Sequence, residues 1–215
     1  EPARWNKLVV APIWLRDRFI ALIDREIAHA KEGKEAYIVA KMNSLCDRQI
    51  IEKLYEASSV GVEIYLVIRG ICCLRTGIPG VSEHIHVTSI VGTFLEHSRI
   101  FYFYNNGQED IYMGSADWMP RNLDRRVEIV FPVEDDVIKD RIKHILDVLL
   151  RDNLKAYAML SDGTYAKMSR RGKQAIGAQM TFCREAMEGA KEETTVWKGR
   201  RFIPIWAFDE EEHEA

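Results

Sequence analysis

Apolar positions along this chain alternate between two periods. Leu8-Val9-Val10-Ala11 is a short unbroken apolar run closed by Pro12 and reads as a buried strand. From Trp14 to Lys31 the period lengthens to that of a helix. Leu15, Phe19, Leu22, Ile23 and Ile27 share one face, and Gly33 sits just past the end. Tyr37-Ile38-Val39-Ala40 predicts a second strand. Asp47 to Ser59 predicts a second helix, with Ile50, Ile51 and Leu54 inward and Gly61 closing it. Val62 to Ile68 is a third strand and almost wholly apolar. This strand-helix-strand-helix-strand run predicts parallel pairing through right-handed crossovers.

After Gly70 the rhythm changes. Gly77, Pro79 and Gly80 punctuate a long loop, and Val87 to Val91 is strand-like. Arg99 to Tyr104 and Asp110 to Met113 predict a hairpin around Asn105-Asn106-Gly107. Arg126 to Val133 predicts a further strand. Asp135 to Asp152 is an amphipathic helix whose core stripe is Val137, Ile138, Ile142, Ile145, Leu146 and Leu149. Ala175 to Ala190 predicts a last helix. From Lys191 the composition shifts, and Asp209 to Glu212 is an acidic run with the character of a mobile tail. There is no internal repeat. The expected organisation is a single α/β domain over residues 1–190 with a C-terminal extension over residues 191–215.

Composition narrows this picture. A length of 215 residues, 47% hydrophobic and 29% charged, suits one folded domain. The formal net charge of -3 argues against bulk attraction to nucleic acid, so any anion site must be local. Cys46, Cys72, Cys73 and Cys183 lack the paired spacing of a zinc site and read as reduced thiols. No apolar run reaches membrane-spanning length, and Arg69 interrupts the best one. The chain opens on Glu1 rather than Met, without a signal-peptide pattern, and is expected to be a piece of something longer.

Candidate chemistry gathers between Arg69 and Glu128. His97 and Arg99 stand two apart at the start of a strand, so they share a face and can address one ligand. An imidazole can donate to a phosphoryl oxygen while a guanidinium fork holds the same group. A lone histidine is more often a packing residue; His29, His84, His86, His144 and His213 read as solvated or packing residues. Arg69 ends an apolar strand and precedes Gly70, at the edge where open α/β sheets collect ligands. Its alternative is a salt bridge to an acidic neighbour. Lys41 and Asn43 follow the second strand at the equivalent edge. Gly114-Ser115-Ala116-Asp117 offers backbone N–H groups and a hydroxyl to an anion, although alone it is an ordinary tight turn. Arg121 or Arg126 is expected to reach the ligand, with Asp124 and Glu128 orienting arginines. Lys167, Arg170, Arg171 and Lys173 form a second basic cluster, readable as a solvated loop or as a polyanion track.

These residues carry two resemblances. A histidine, a basic residue two on, and a later Gly-Ser turn together resemble a phospholipase D superfamily half-site. The chain departs from it where the superfamily lysine is Arg99, the aspartate falls on Tyr104 and the asparagine is Asp117. A longer resemblance runs from about Lys7 to Ala190. It rests on Asp24-Arg25-Glu26-Ile27-Ala28, Lys41-Met42-Asn43-Ser44-Leu45, Leu54-Tyr55-Glu56-Ala57-Ser58-Ser59 and Arg69-Gly70-Ile71-Cys72. It continues through Ser89-Ile90-Val91, Leu95-Glu96-His97 and Ser115-Ala116-Asp117-Trp118-Met119 to Arg121-Asn122. In these blocks the chain is similar to the C-terminal domain of long-form bacterial polyphosphate kinases.

That resemblance implies a phospholipase D-like mixed sheet with flanking helices in a single α/β domain. It implies an ATP:polyphosphate phosphotransferase whose phosphohistidine and Mg2+ ligands lie in a preceding domain outside this chain. His97 becomes the expected catalytic residue. Arg69, His97, Arg99, Lys41, Asn43, Ser115 and Arg121 become the expected ATP and substrate contacts. The implied partners are ATP, inorganic polyphosphate, the preceding domains and further copies in a homo-oligomer. No nucleic acid and no membrane span are implied, and the location is cytoplasmic with membrane association as an alternative. The rival readings are a homodimeric phosphodiesterase or nuclease half-site and a non-catalytic polyphosphate-binding module.

Overall fold

A computed structural model of the chain describes residues 5–192, with side chains through residue 190. The expected acidic tail lies outside the described residues. The chain divides into two compact units, Glu1–Thr181 and Phe182–Ala215. The first carries the sheet and the candidate site. Of the second, the described part is the continuation of the last helix.

The elements in chain order are β1 (Val9–Ala11), α1 (Leu15–Lys31), β2 (Tyr37–Met42), α2 (Arg48–Ser59), β3 (Glu63–Ile68) and β4 (Ile85–Ile90). Next come β5 (Arg99–Phe103), β6 (Asp110–Gly114), β7 (Glu128–Val133), α3 (Asp136–Leu150), β8 (Ala156–Met159), β9 (Tyr165–Lys167) and α4 (Ala178–Glu192). The first three helices start within one residue of where the sequence marks them, and α4 starts at Ala178 rather than Ala175. Asp47 caps α2 by accepting from Ile50 N at 3.1 Å, and Asp135 caps α3 by accepting from Ile138 N at 3.0 Å. A 3-10 turn over Asn105–Gly107 joins β5 to β6, and a π-helical turn over Arg121–Arg125 leads into β7.

The strands form one mixed sheet in the order β1-β7-β6-β5-β2-β3-β4-β8-β9. β2, β3 and β4 are parallel, as the apolar runs predict. The expected parallel pairing of β1 with β2 does not form. β1 instead pairs antiparallel with β7 at the far edge, Val10 facing Ile129. Three residues cannot specify a neighbour, and the returning β5-β6-β7 meander fills the places beside β2 first. The β8-β9 hairpin escapes sequence reading because strands of four and three residues are too short to show a period.

Alternation along the central strands covers both faces. Ile38, Ala40, Phe101 and Phe103 pack with α1 and α2, while Val39, Ile100 and Tyr102 pack with Ile142 and Leu146 of α3. Phe101 lies between Phe19 of α1, with ring centroids 4.6 Å apart, and Trp118, at 5.2 Å. Trp118 is 0% exposed, and that packing anchors the connector after β6. Strand direction gives the sheet one rim rich in connectors. β2, β3 and β6 end there, and β5 and β7 begin there.

Candidate functional site

Four connectors meet at that rim and enclose a cavity of about 480 Å³. Asn43 and Ser44 follow β2, and Arg69 follows β3. His97 precedes Arg99, which opens β5. Ser115 and Asp117 follow β6, and the segment carrying Arg121, Asn122 and Arg126 leads to Glu128 at the head of β7. Backbone bonds hold the connectors together. Leu45 N donates to Ile71 O at 2.9 Å, and Cys46 N and Asp47 N both donate to Trp118 O at 2.9 Å. Arg16 of α1 adds an ion pair to Asp47 at 2.8 Å and another to Asp124, whose carboxyl it holds below the ordinary range.

Glycine makes one of these approaches possible. A Cβ on Gly114 would stand 2.3 Å from Ile129 O and 2.9 Å from Val130 Cα, both backbone atoms that cannot swing aside. Gly114→Ala is therefore expected to lower stability by about 1–3 kcal/mol, the usual cost of overpacking, read as a shift in urea midpoint. An unchanged midpoint would mean that β6 and β7 are not this close.

Arg99 and Asp117 form the inner wall. They are 9% and 3% exposed. Arg99 Nε donates to Asp117 Oδ1 at 3.1 Å and Nη2 donates to Oδ2 at 3.2 Å, a bidentate pair. The remaining amino group, Nη1, donates to His97 Nδ1 at 2.9 Å and to His97 O at 2.8 Å. Asn43 N donates to Asp117 Oδ1 at 2.8 Å, which ties β2's connector to the same carboxylate. Two departures from the phospholipase D pattern are thus halves of one ion pair. The third, Tyr104, lies past the opposite end of β5, stacked on Tyr37 at 4.5 Å and away from the cleft.

The cleft's free cations are elsewhere. Arg69, Arg121 and Arg126 line it without an ion pair to any described residue. Arg69 is half-buried, and Arg121, Arg126 and His97 are exposed. Ser115 lines the cavity, but its hydroxyl donates to Glu128 and accepts from Ile129 N at 3.1 Å. Glu128 also accepts from Asn122 Nδ2 at 2.6 Å. Of the two carboxylates expected to orient arginines, Asp124 holds Arg16, whereas Glu128 holds Ser115 and Asn122. Glu128 turns inward at the first residue of β7, where those two side chains are its nearest donors.

Lys41 does not line the cleft. Its ammonium is buried, donates to Ser98 O at 3.2 Å and lies 3.5 Å from Glu96 Oε2. Burial holds its pKa below the ordinary lysine value. Lys41 therefore secures the loop that carries His97. Gln179, at the start of α4, holds the same loop by donating to Phe94 O at 2.8 Å and Glu96 Oε1 at 3.0 Å. The second basic cluster, around Lys167 to Lys173, is exposed chain at and after β9, outside the cleft.

The fold thus brings Asn43, Arg69, His97, Arg99, Ser115 and Arg121 to one cavity from four separate connectors and leaves Lys41 behind the wall. The main residues that sequence reasoning undervalued are Asp117 and Asn122. The sequence marks Asp117 as part of a small-residue turn and as a departure from a motif, but its partnership depends on Arg99 lying opposite. The donor set does not suit Mg2+. Asp117 and Glu128 spend their carboxylates on Arg99, Asn43, Ser115 and Asn122. Among the described residues no three His, Cys, Asp or Glu side chains gather as ligands. No helix among the described residues is long and apolar enough to cross a membrane.

Proteins similar to this chain include several polyphosphate kinases. A polyphosphate kinase of Thermosynechococcus vestitus is 57% identical over 161 residues, covering 75% of this chain and 22% of that protein. One from Pseudomonas aeruginosa is 53% identical over 171 residues, covering 80% of this chain and 25% of that protein. The chain therefore spans about a quarter of the length of these curated relatives. The crystal structure of polyphosphate kinase from Porphyromonas gingivalis superposes with a TM-score of 0.84 at 42% identity, over 90% of this chain and 30% of that one. The polyphosphate kinase C-terminal domain 2 family matches residues 8–179, and this chain belongs to that family.

Proposed function

We propose that this chain supplies the ATP- and polyphosphate-contacting half of a reversible phosphotransferase site. The phosphohistidine that carries the transferring group, and the ligands of any Mg2+, belong to a preceding part of the enzyme outside this chain. The observation that carries this reading is the convergence of Arg69, Arg121, Arg126 and His97 on one cleft while its carboxylates are engaged internally, Asp117 by Arg99 and Glu128 by Ser115 and Asn122. Phosphoryl transfer spreads negative charge over the departing and equatorial oxygens, so fixed cations and donors are the main service a protein can render. Arg69 sits at a strand end beside Gly70, with no ion-pair partner among the described residues to surrender before it grips a phosphate. Arg99 acts in the wall as a positioning group, since its donors are already engaged. A stand-alone phosphodiesterase is disfavoured by the same pair, which replaces the lysine and asparagine of the superfamily half-site with an internally satisfied bridge.

Titration of the chain with ATP or tripolyphosphate tests the site. Calorimetry should detect binding that weakens with salt, and Arg69→Gln should weaken it by roughly 10- to 100-fold, the worth of one charge-assisted contact. Hydrolysis of a generic phosphodiester by the chain alone would instead favour the phosphodiesterase reading. NMR signals of Arg69 and His97 unmoved by either anion would count against any phosphate site here.

A further inference from the structure

Which nitrogen of His97 carries its proton decides what that histidine can do. Arginine is a donor only, because its guanidinium has no lone pair to offer. The 2.9 Å contact between Arg99 Nη1 and His97 Nδ1 can therefore run in one direction, with Nδ1 accepting. The neutral ring must then hold its proton on Nε2, the nitrogen on the far side from the wall. Arg99 is not free to swing away. Its fork is pinned by Asp117 at 3.1 and 3.2 Å, and the same Nη1 donates to His97 O at 2.8 Å. Asp117 is in turn held by Asn43 N at 2.8 Å, and both members of the pair are buried.

We infer that Arg99, fixed by Asp117, locks His97 in the Nε2–H tautomer, so that His97 serves as a hydrogen-bond donor to a phosphate oxygen and cannot itself accept the phosphoryl group. A nucleophilic imidazole must present a lone pair. On His97 the Nε2 lone pair is replaced by a proton, and the Nδ1 lone pair is taken by Arg99. Donation leaves the proton on nitrogen throughout, so no bond is made or broken at His97. Arg99 and Asp117 are positioning residues in this arrangement. The donor's use in transfer rests on the function proposed above, but the tautomer does not.

The lock explains why lysine would not substitute. A lysine at position 99 keeps the positive charge and can pair with Asp117. It lacks the planar fork that reaches both carboxylate oxygens and Nδ1 at once.

The experiment is long-range proton–nitrogen NMR of the chain labelled with 15N in its histidines, at a pH where His97 is neutral. The His97 signals, assigned by their loss in His97→Ala, should show Nδ1 bare and Nε2 protonated. A proton on Nδ1, or comparable populations of the two tautomers, would overturn the proposal. In Arg99→Lys the preference should relax toward a mixture. In the full-length enzyme the same change should lower kcat by about ten- to a hundredfold with little change in KM for ATP, a smaller loss than that of the donor itself. A variant that kept both the wild-type tautomer and wild-type turnover would equally refute the lock. If Arg99→Lys does not fold, the wild-type spectrum alone decides. A correct tautomer combined with full turnover by His97→Ala would sink the proposed function and spare the lock. A wrong tautomer combined with lost turnover would do the reverse.

Discussion

Replacing His97 by alanine in the full-length enzyme is expected to lower kcat by about 10²- to 10³-fold while leaving the fold nearly untouched. The magnitude is that of removing one preorganised donor from the charge that develops during transfer. The fold is expected to survive because His97 is exposed and packs no core. A surface change of this kind alters stability by about 0.5 kcal/mol or less. Its side chain also leaves the wall intact: Arg99 keeps both contacts to Asp117 and the one to the backbone carbonyl at position 97. Steady-state turnover beside a thermal melt reads both halves of the expectation. Wild-type kcat in the variant would remove His97 from the chemistry. A large fall in melting temperature would mean that the residue is structural.

Asp117→Ala is expected to produce the opposite pattern, a stability loss of about 3–5 kcal/mol, because it strands the Arg99 guanidinium in the wall without its partner. The same change removes the acceptor for Asn43 N, which links the connectors after β2 and β6. Both effects fall on one rim, so activity should be lost through the fold rather than through the chemistry. Pairing it with Arg99→Met separates the causes. With both charges gone, the burial penalty disappears and much of the stability should return, while the cleft loses its inner wall. Denaturant melts of the single and double variants form the test. If Asp117→Ala alone costs less than about 1 kcal/mol, water reaches Arg99 and the pair is not buried as described.

Much of the scaffold was legible in one dimension. The helical stripe of Leu15, Phe19, Leu22, Ile23 and Ile27 is the face that is buried, and Asp47 and Asp135 cap the helices they precede. The hairpin around Asn105-Asn106-Gly107 forms where its turn residues stand. These features are local: each depends on residues a few positions apart. Pairing partners were less legible. The run at Val9 says strand, but nothing within three residues says whether β2 or β7 will lie beside it.

The candidate site divides along the same line. Arg69, His97, Arg121 and Ser115 could be picked out because each ends or begins an element and carries a group that suits an anion. Lys41 could be picked out too, by the same reasoning, yet it turns behind the wall to Ser98 and Glu96. Asp117 looked like a loss, an asparagine missing from a familiar pattern. In three dimensions it completes Arg99, eighteen residues away in sequence.

By itself the amino-acid order determined which segments are helix or strand, that a basic and imidazole-bearing rim exists, and to which family the resemblance points. Those depend on periodicity and on near neighbours, which the chain states directly. Only the tertiary structure decided which cations remain free for a ligand, which are spent on carboxylates, and which ring nitrogen of His97 faces Arg99. Charge pairing and hydrogen-bond direction depend on distances between groups far apart along the chain, and those distances exist only once the connectors have met at the rim.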